Sequence, residues 1–108
     1  MSDQLVIIQS TTDSSESAKS WAQYLVSNRL AACVQIEGPI HSVFEWKGEL
    51  LEQTEWRVQI KTLASHATEV TKWLASNHNY DLPEIVQYSV DFVSPNYLNW
   101  VGDQLKPL

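Results

Sequence analysis

The most constraining feature is a pair of long strand-like stretches on either side of Lys47-Gly48. Ala32 to Phe44 reads as strand, broken only at Gly38-Pro39, where Pro removes a ladder donor and Gly permits a bend. On the other side, Trp56, Val58, Ile60 and Thr62 alternate with Arg57, Gln59 and Lys61. Lys47-Gly48 is a turn signal, so the two stretches predict a hairpin. Arms of more than a dozen residues, at ~3.3 Å each, reach about 40 Å. A globule of this chain length has a radius of gyration of only about 13 Å. The tip, Glu45-Trp46-Lys47-Gly48-Glu49, must therefore fold over sharply or project. Projection would leave a strand edge and the aromatics Phe44 and Trp46 bare, which suits a subunit interface; a bent hairpin packed on itself is the plainer alternative.

The flanking segments supply the partners such a hairpin needs. Leu5-Val6-Ile7-Ile8 is too short for a helix and rich in β-branched residues, which predicts a buried strand over about residues 4–10. Asp13, with Glu16 three residues on, resembles a capping box, and Ala18, Trp21, Ala22, Leu25 and Val26 recur at helical spacing. A helix is expected from about Ser14 to Asn28. A second is expected from about His66 to Asn77, with Ser65 as its N-cap and Val70, Trp73 and Leu74 on its apolar face. Val86, Tyr88, Val90 and Phe92 alternate with polar residues as a further strand. Ser94-Pro95 opens a short last helix and Gly102 closes it. The order β-α-β-β-α-β plus a short C-terminal helix predicts an α+β, ferredoxin-like sandwich: one domain over residues 1–108, four antiparallel strands and two helices on one face.

Charge narrows the partners. Thirteen Asp and Glu against seven Lys and Arg give a net charge of −6, which argues against nucleic acid and against an anionic membrane surface. One cysteine, Cys33, cannot form an internal disulfide. The start Met1-Ser2-Asp3-Gln4 lacks the basic character of a signal peptide, and no apolar run approaches a membrane span. A cytoplasmic location is expected.

The chain carries no phosphate-cradling glycine motif, no H-E-x-x-H and no C-x-x-C, so no enzyme activity is expected and no cofactor is required. Cys33 reads first as a small buried hydrophobe and second as a soft ligand for copper or zinc. His78 sits in a loop with Tyr80 and Asp81 and reads either as a surface residue or as an imidazole ligand. Both are weak metal candidates without partners at ligand spacing. Lys61, Glu84 and Tyr97 stand near strand or helix ends, as ion-pair and rim residues or as pocket residues.

Several segments, taken together and in order, resemble the CutA family of divalent-ion tolerance proteins. They are Arg29-Leu30-Ala31-Ala32-Cys33-Val34, Ser42, Trp46-Lys47-Gly48, Glu55, Lys61-Thr62, His78, Tyr80, Pro83-Glu84-Ile85, Tyr97-Leu98 and Trp100. The resemblance spans about residues 5–101. It implies a ferredoxin-like homotrimer whose long hairpins pair with neighbouring subunits. It implies an inter-subunit cleft lined by Trp46, Lys61, Glu84, Tyr97 and Trp100. It implies a role in tolerance of copper and other divalent cations, with no catalytic activity.

This sequence departs from the family pattern in places. Asn79 follows His78 where Pro is usual, Gln35 stands for a common Asn and Phe44 for a common Tyr. Members with a proposed copper site carry Cys near Gln9 and His at Asn77; of that set only His78 remains here, and Gln9 and Asn77 are poor copper ligands. The leading expectation is a non-enzymatic homotrimer for copper tolerance, with at most weak direct binding of copper or another divalent cation. The alternative is a signalling scaffold, similar to PII-type proteins, that takes a small anion in the inter-subunit cleft through Lys61.

Overall fold

The computed structural model describes residues 3–108, so the reading of Met1 and Ser2 lies outside the described residues. Seven elements follow in chain order: β1 (Leu5–Thr12), α1 (Ser15–Ser27), β2 (Cys33–Trp46), β3 (Glu49–Leu63), α2 (Ala64–Asn77), β4 (Val86–Ser89) and α3 (Pro95–Gln104). The strands form one antiparallel sheet in the order β2-β3-β1-β4, the arrangement of a ferredoxin-like sandwich.

Residues of alternate parity build two different faces. Val6, Ile8, Val58 and Ile60 point to one side, where they meet Ala18, Trp21 and Leu25 of α1 and Ala67, Val70 and Leu74 of α2. Each of those larger side chains contributes about 1.5–3 kcal/mol on burial. The opposite face carries Leu5 and Leu63, which pack with Ala32 against Val101 and Leu105 at α3. That second core covers only one end of the face.

The hairpin is longer than its alternation suggested, because β3 begins at Glu49 and β2 pairs with it as far as Trp46↔Glu49. Lys47 and Gly48 both adopt positive φ, 53° and 84°, the two-residue turn whose twist matches that of the strands. The register slips between Glu37 and Ile40, at Gly38-Pro39. Gly38 lies against the Trp56 ring so closely that a β-carbon there would collide with it. The molecule measures 46 × 26 × 21 Å, with a radius of gyration of 14.7 Å against the ~13 Å of a rounder globule.

Four local expectations differ from the structure. Asp13 does not cap α1: Ser14 does, its hydroxyl accepting from the Ser17 N–H at 3.1 Å. The Asp13 carboxylate instead accepts from Asn79 and Gln53. Ser65 does not cap α2, which starts one residue earlier; its exposed N–H groups are met by the N-terminal segment, Ala64 N–H donating to the Gln4 carbonyl and Ser65 N–H to Asp3 Oδ1. β4 stops at Ser89 instead of Phe92, because Ser89 already faces Val6 and the antiparallel run then passes the start of β1. α3 continues through Gly102 to Gln104.

Candidate functional site

Beyond the bulge, the far face of the sheet is roofed not by α3 but by the loop between α2 and β4. The strands supply Thr11, Phe44, Trp46, Leu51, Glu55 and Arg57, which the cross-strand register places on one face, and the loop supplies Asn79 through Leu82 and Glu84. Between them lies an open cleft of about 690 Å³.

Glu55 forms part of its floor and is only 6% exposed. Tyr80 Oη donates to Glu55 Oε2 at 2.7 Å. Burial, and then the Glu55 carboxylate and Asp13, push the Tyr80 phenol well above the usual tyrosine range. Arg57 lies two residues along on the same face but reaches toward Glu37, 3.9 Å away, and its Nε is buried without a partner.

The loop is tied to the sheet through His78. The Tyr80 N–H donates to His78 Nδ1 at 2.9 Å, so Nδ1 is the unprotonated nitrogen. Nε2 then carries the proton and faces the Thr11 carbonyl and Ser10 Oγ, each at 3.0 Å. The ring packs on Trp21 with centroids 4.6 Å apart. Burial lowers the His78 pKa, against the opposing pull of the Thr11 carbonyl, Asp13 and Glu55. Next to it, Thr12 Oγ1 donates to Asn79 Oδ1 at 2.7 Å and Asn79 Nδ2 donates to Asp13. As positioned, His78 has no lone pair left for a metal.

Cys33 is half-buried and pairs with Lys61 in register. Its neighbour Val34 packs into the core beneath the helices, so Cys33 belongs to the opposite face. His78, beside Trp21 and Ser10, lies on the helix side. One chain therefore does not bring Cys33 and His78 to a common ion. Among the described residues, no three His, Cys, Asp or Glu side chains stand together as a metal site.

The five cleft residues separate into two groups. Trp46 and Glu84 both line the cleft of Glu55, and Glu84 Oε2 accepts from Gln9 Nε2 at 2.9 Å. Lys61, Tyr97 and Trp100 gather at α3: Lys61 Nζ lies 5.8 Å from the Tyr97 ring centre, and Tyr97 stacks on Trp100 at 5.6 Å. None of these three lines the cleft. Glu55 and Tyr80 were not singled out as site residues from the sequence. Glu55 shares the parity of Arg57, Gln59 and Lys61, so alternation alone reads it as one more polar residue of a solvated face.

A family profile described as CutA1 divalent ion tolerance protein matches residues 6–104. The Xenopus laevis protein CutA homolog is 42% identical over 86 residues, covering 80% of this chain and 57% of that protein. The Pectobacterium atrosepticum divalent-cation tolerance protein CutA is 33% identical over 101 residues, covering 94% and 92%. The chain spans about half the length of several curated relatives it matches, 56% of the Arabidopsis thaliana chloroplastic protein and 48% of the mouse protein. Among solved structures, CutA from Xylella fastidiosa superposes with a TM-score of 0.91 at 32% identity, covering 95% of this chain and 99% of that one. CutA1 from Ehrlichia chaffeensis gives 0.91 at 27%, covering 96% and 97%. Among the described residues, no helix is long and apolar enough to cross a membrane.

Proposed function

The chain belongs to the CutA1 divalent-ion tolerance family, and from that premise we propose a non-enzymatic, cytoplasmic homotrimer that serves divalent-cation tolerance, copper included, and binds metal directly only weakly. The observation that carries the assembly is the exposed apolar surface of the hairpin, on both of its sides, and of the loops flanking β4. Leu50 is 75% exposed, Leu82 70% and Phe92 80%, with Val43, Phe44 and Trp46 also open along the hairpin. Apolar surface of this kind on a projecting strand pair is a subunit interface. The separation of Trp46 and Glu84 from Lys61, Tyr97 and Trp100 supports the same reading: a cleft holding all five needs residues of two copies.

Weak metal binding follows from the donors. His78 has committed both ring nitrogens, and Cys33 lies on the other face. A trimer would carry three times the −6 of one chain, which gathers cations loosely without a defined site. Two measurements test this. Light scattering on the eluting protein is expected to give three times 12.3 kDa; a monomer at micromolar concentration overturns the assembly. Calorimetric titration with Cu²⁺ is expected to give weak, salt-sensitive heat that His78→Ala leaves unchanged. Tight, saturable binding lost in that variant would overturn the weak-binding reading.

A scaffold that takes a small anion has one specific support. Among the described residues no carboxylate pairs with Lys61, whose ammonium rests over Tyr97. Inorganic phosphate raising the melting temperature of the protein, but not of Lys61→Ala, would favour this second reading.

A further inference from the structure

Arg57 marks the one point where a single chain leaves a buried polar atom unsatisfied. Among the described residues, its Nε is the only buried side-chain nitrogen or oxygen without a hydrogen-bond partner. The rest of the guanidinium is no better held. Nη1 comes no closer than 3.9 Å to Glu37 Oε1, beyond hydrogen-bond range, and among the described residues no other carboxylate stands within ion-pair distance. No N–H of this side chain therefore donates a hydrogen bond within the described residues. Buried donors are ordinarily satisfied, because an orphaned one keeps its full desolvation cost. Arg29 shows the satisfied state in the same molecule, its guanidinium donating to the carbonyls of Asp103, Gln104 and Leu105.

The surroundings say what kind of acceptor is missing. Arg57 lines the cleft beside the hairpin, on the surface assigned above to the subunit contact. Glu37 faces it in register and Glu55 lies two residues along the same strand face, so two acids already accompany one cation. A further carboxylate would be repelled by them. What Arg57 lacks is neutral acceptors. A second copy brings these to the same surface: β2 is an edge strand, its outer carbonyls have no partner strand in one chain, and it runs out into the projecting hairpin. Resting on the assembly proposed above, we propose that Arg57 anchors the subunit contact, its guanidinium donating to backbone carbonyls of a second copy's hairpin. The contact is incomplete in one chain and completed by the next.

The test follows dissociation of the assembled full chain on dilution, read by light scattering, with far-ultraviolet circular dichroism to check that each variant folds. A parent that is already monomeric at micromolar concentration overturns the assembly itself; every other outcome bears on the anchor alone. Arg57→Met keeps an unbranched stem and loses every donor, and is expected to raise the dissociation constant about tenfold or more. Arg57→Gln keeps an amide donor and is expected to lose less. Glu37→Gln is expected to change it by no more than about twofold, as for an exposed ion pair. A parent and Arg57→Met of equal affinity would overturn the proposal. So would Glu37→Gln weakening assembly as much as Arg57→Met, which would put the partner of Arg57 inside its own chain. High salt that loosens the parent but not Arg57→Met would also overturn it, by making the acceptor a carboxylate. If Arg57→Met does not fold, Arg57→Gln, Glu37→Gln and the salt dependence decide it.

Discussion

The Tyr80 hydroxyl donates a hydrogen bond to the Glu55 carboxylate across 2.7 Å, and in doing so fastens the loop after α2 to the middle of β3. The two residues are 25 positions apart in the chain. Their bond converts a polar strand position into a buried one and gives the cleft its charged floor.

Removing that hydroxyl leaves Glu55 with no side-chain donor in a buried position. Tyr80→Phe is expected to lower stability by about 1–3 kcal/mol, read from urea unfolding. The loss should shrink in the Glu55→Gln background, because an amide tolerates the missing donor better than a carboxylate does. Equal losses in both backgrounds would mean the pair does not act as a unit.

The same contact has a signature at high pH. The folded Tyr80 pKa lies above the ordinary 10.0, so its contribution to stability is fully present below pH 10 and declines as pH rises further. In an ultraviolet titration of the folded protein, one of the four tyrosines should ionise later than the rest. Tyr80→Phe should remove that late step. Its persistence would assign it elsewhere.

His78 acts at the other end of the scale. Burial depresses its pKa below 6.5, so its contribution is present above pH 6.5 and is lost as pH falls through the folded value. Protonation must also take the Nδ1 lone pair from the Tyr80 N–H. Stability is expected to fall as the pH drops below 6.5, before ordinary carboxylates take up protons. His78→Gln should flatten that segment of the curve; an unchanged slope would contradict the assignment.

Arg29 joins the two ends of the fold. It takes a left-handed conformation, φ 58°, just past α1, a position that usually favours glycine. Its guanidinium donates to the carbonyls of Asp103, Gln104 and Leu105 and so caps α3. Arg29→Ala keeps the backbone cost and loses the cap, with an expected loss of about 1–2 kcal/mol. Hydrogen exchange should rise first in the last turn of α3. Faster exchange spread evenly over the chain would argue against a local cap.

At the bulge, Gly38→Ala places a β-carbon where the Trp56 ring lies, and the ring must move. Destabilisation of about 1–3 kcal/mol is expected, with a change in near-ultraviolet circular dichroism from the displaced indole. A variant as stable as the parent would mean the bulge relaxes freely.

Much of the architecture was legible from local pattern. The short β-branched run of β1, the alternation in β3 and the helical recurrence of Trp21, Leu25, Val70 and Leu74 mark the apolar strands and faces, and these have few ways to pair. The excessive length of the β2–β3 hairpin was also visible, because strand rise and globule size are both set by residue count. The five cleft residues were another matter: they came from resemblance to a family, and within one chain they form two groups.

What only the tertiary structure decided are contacts between segments distant in the chain. Asp3 meets the first turn of α2 in place of Ser65, and β4 ends where β1 runs out, although its alternation continues to Phe92. His78 became a hydrogen-bonded fastening in place of a free imidazole, and Glu55 became a buried acid. Periodicity is a property of neighbouring residues and says which way a side chain points. Whether that side chain meets water depends on what another part of the chain lays over it, and here that covering is the loop from His78 to Glu84.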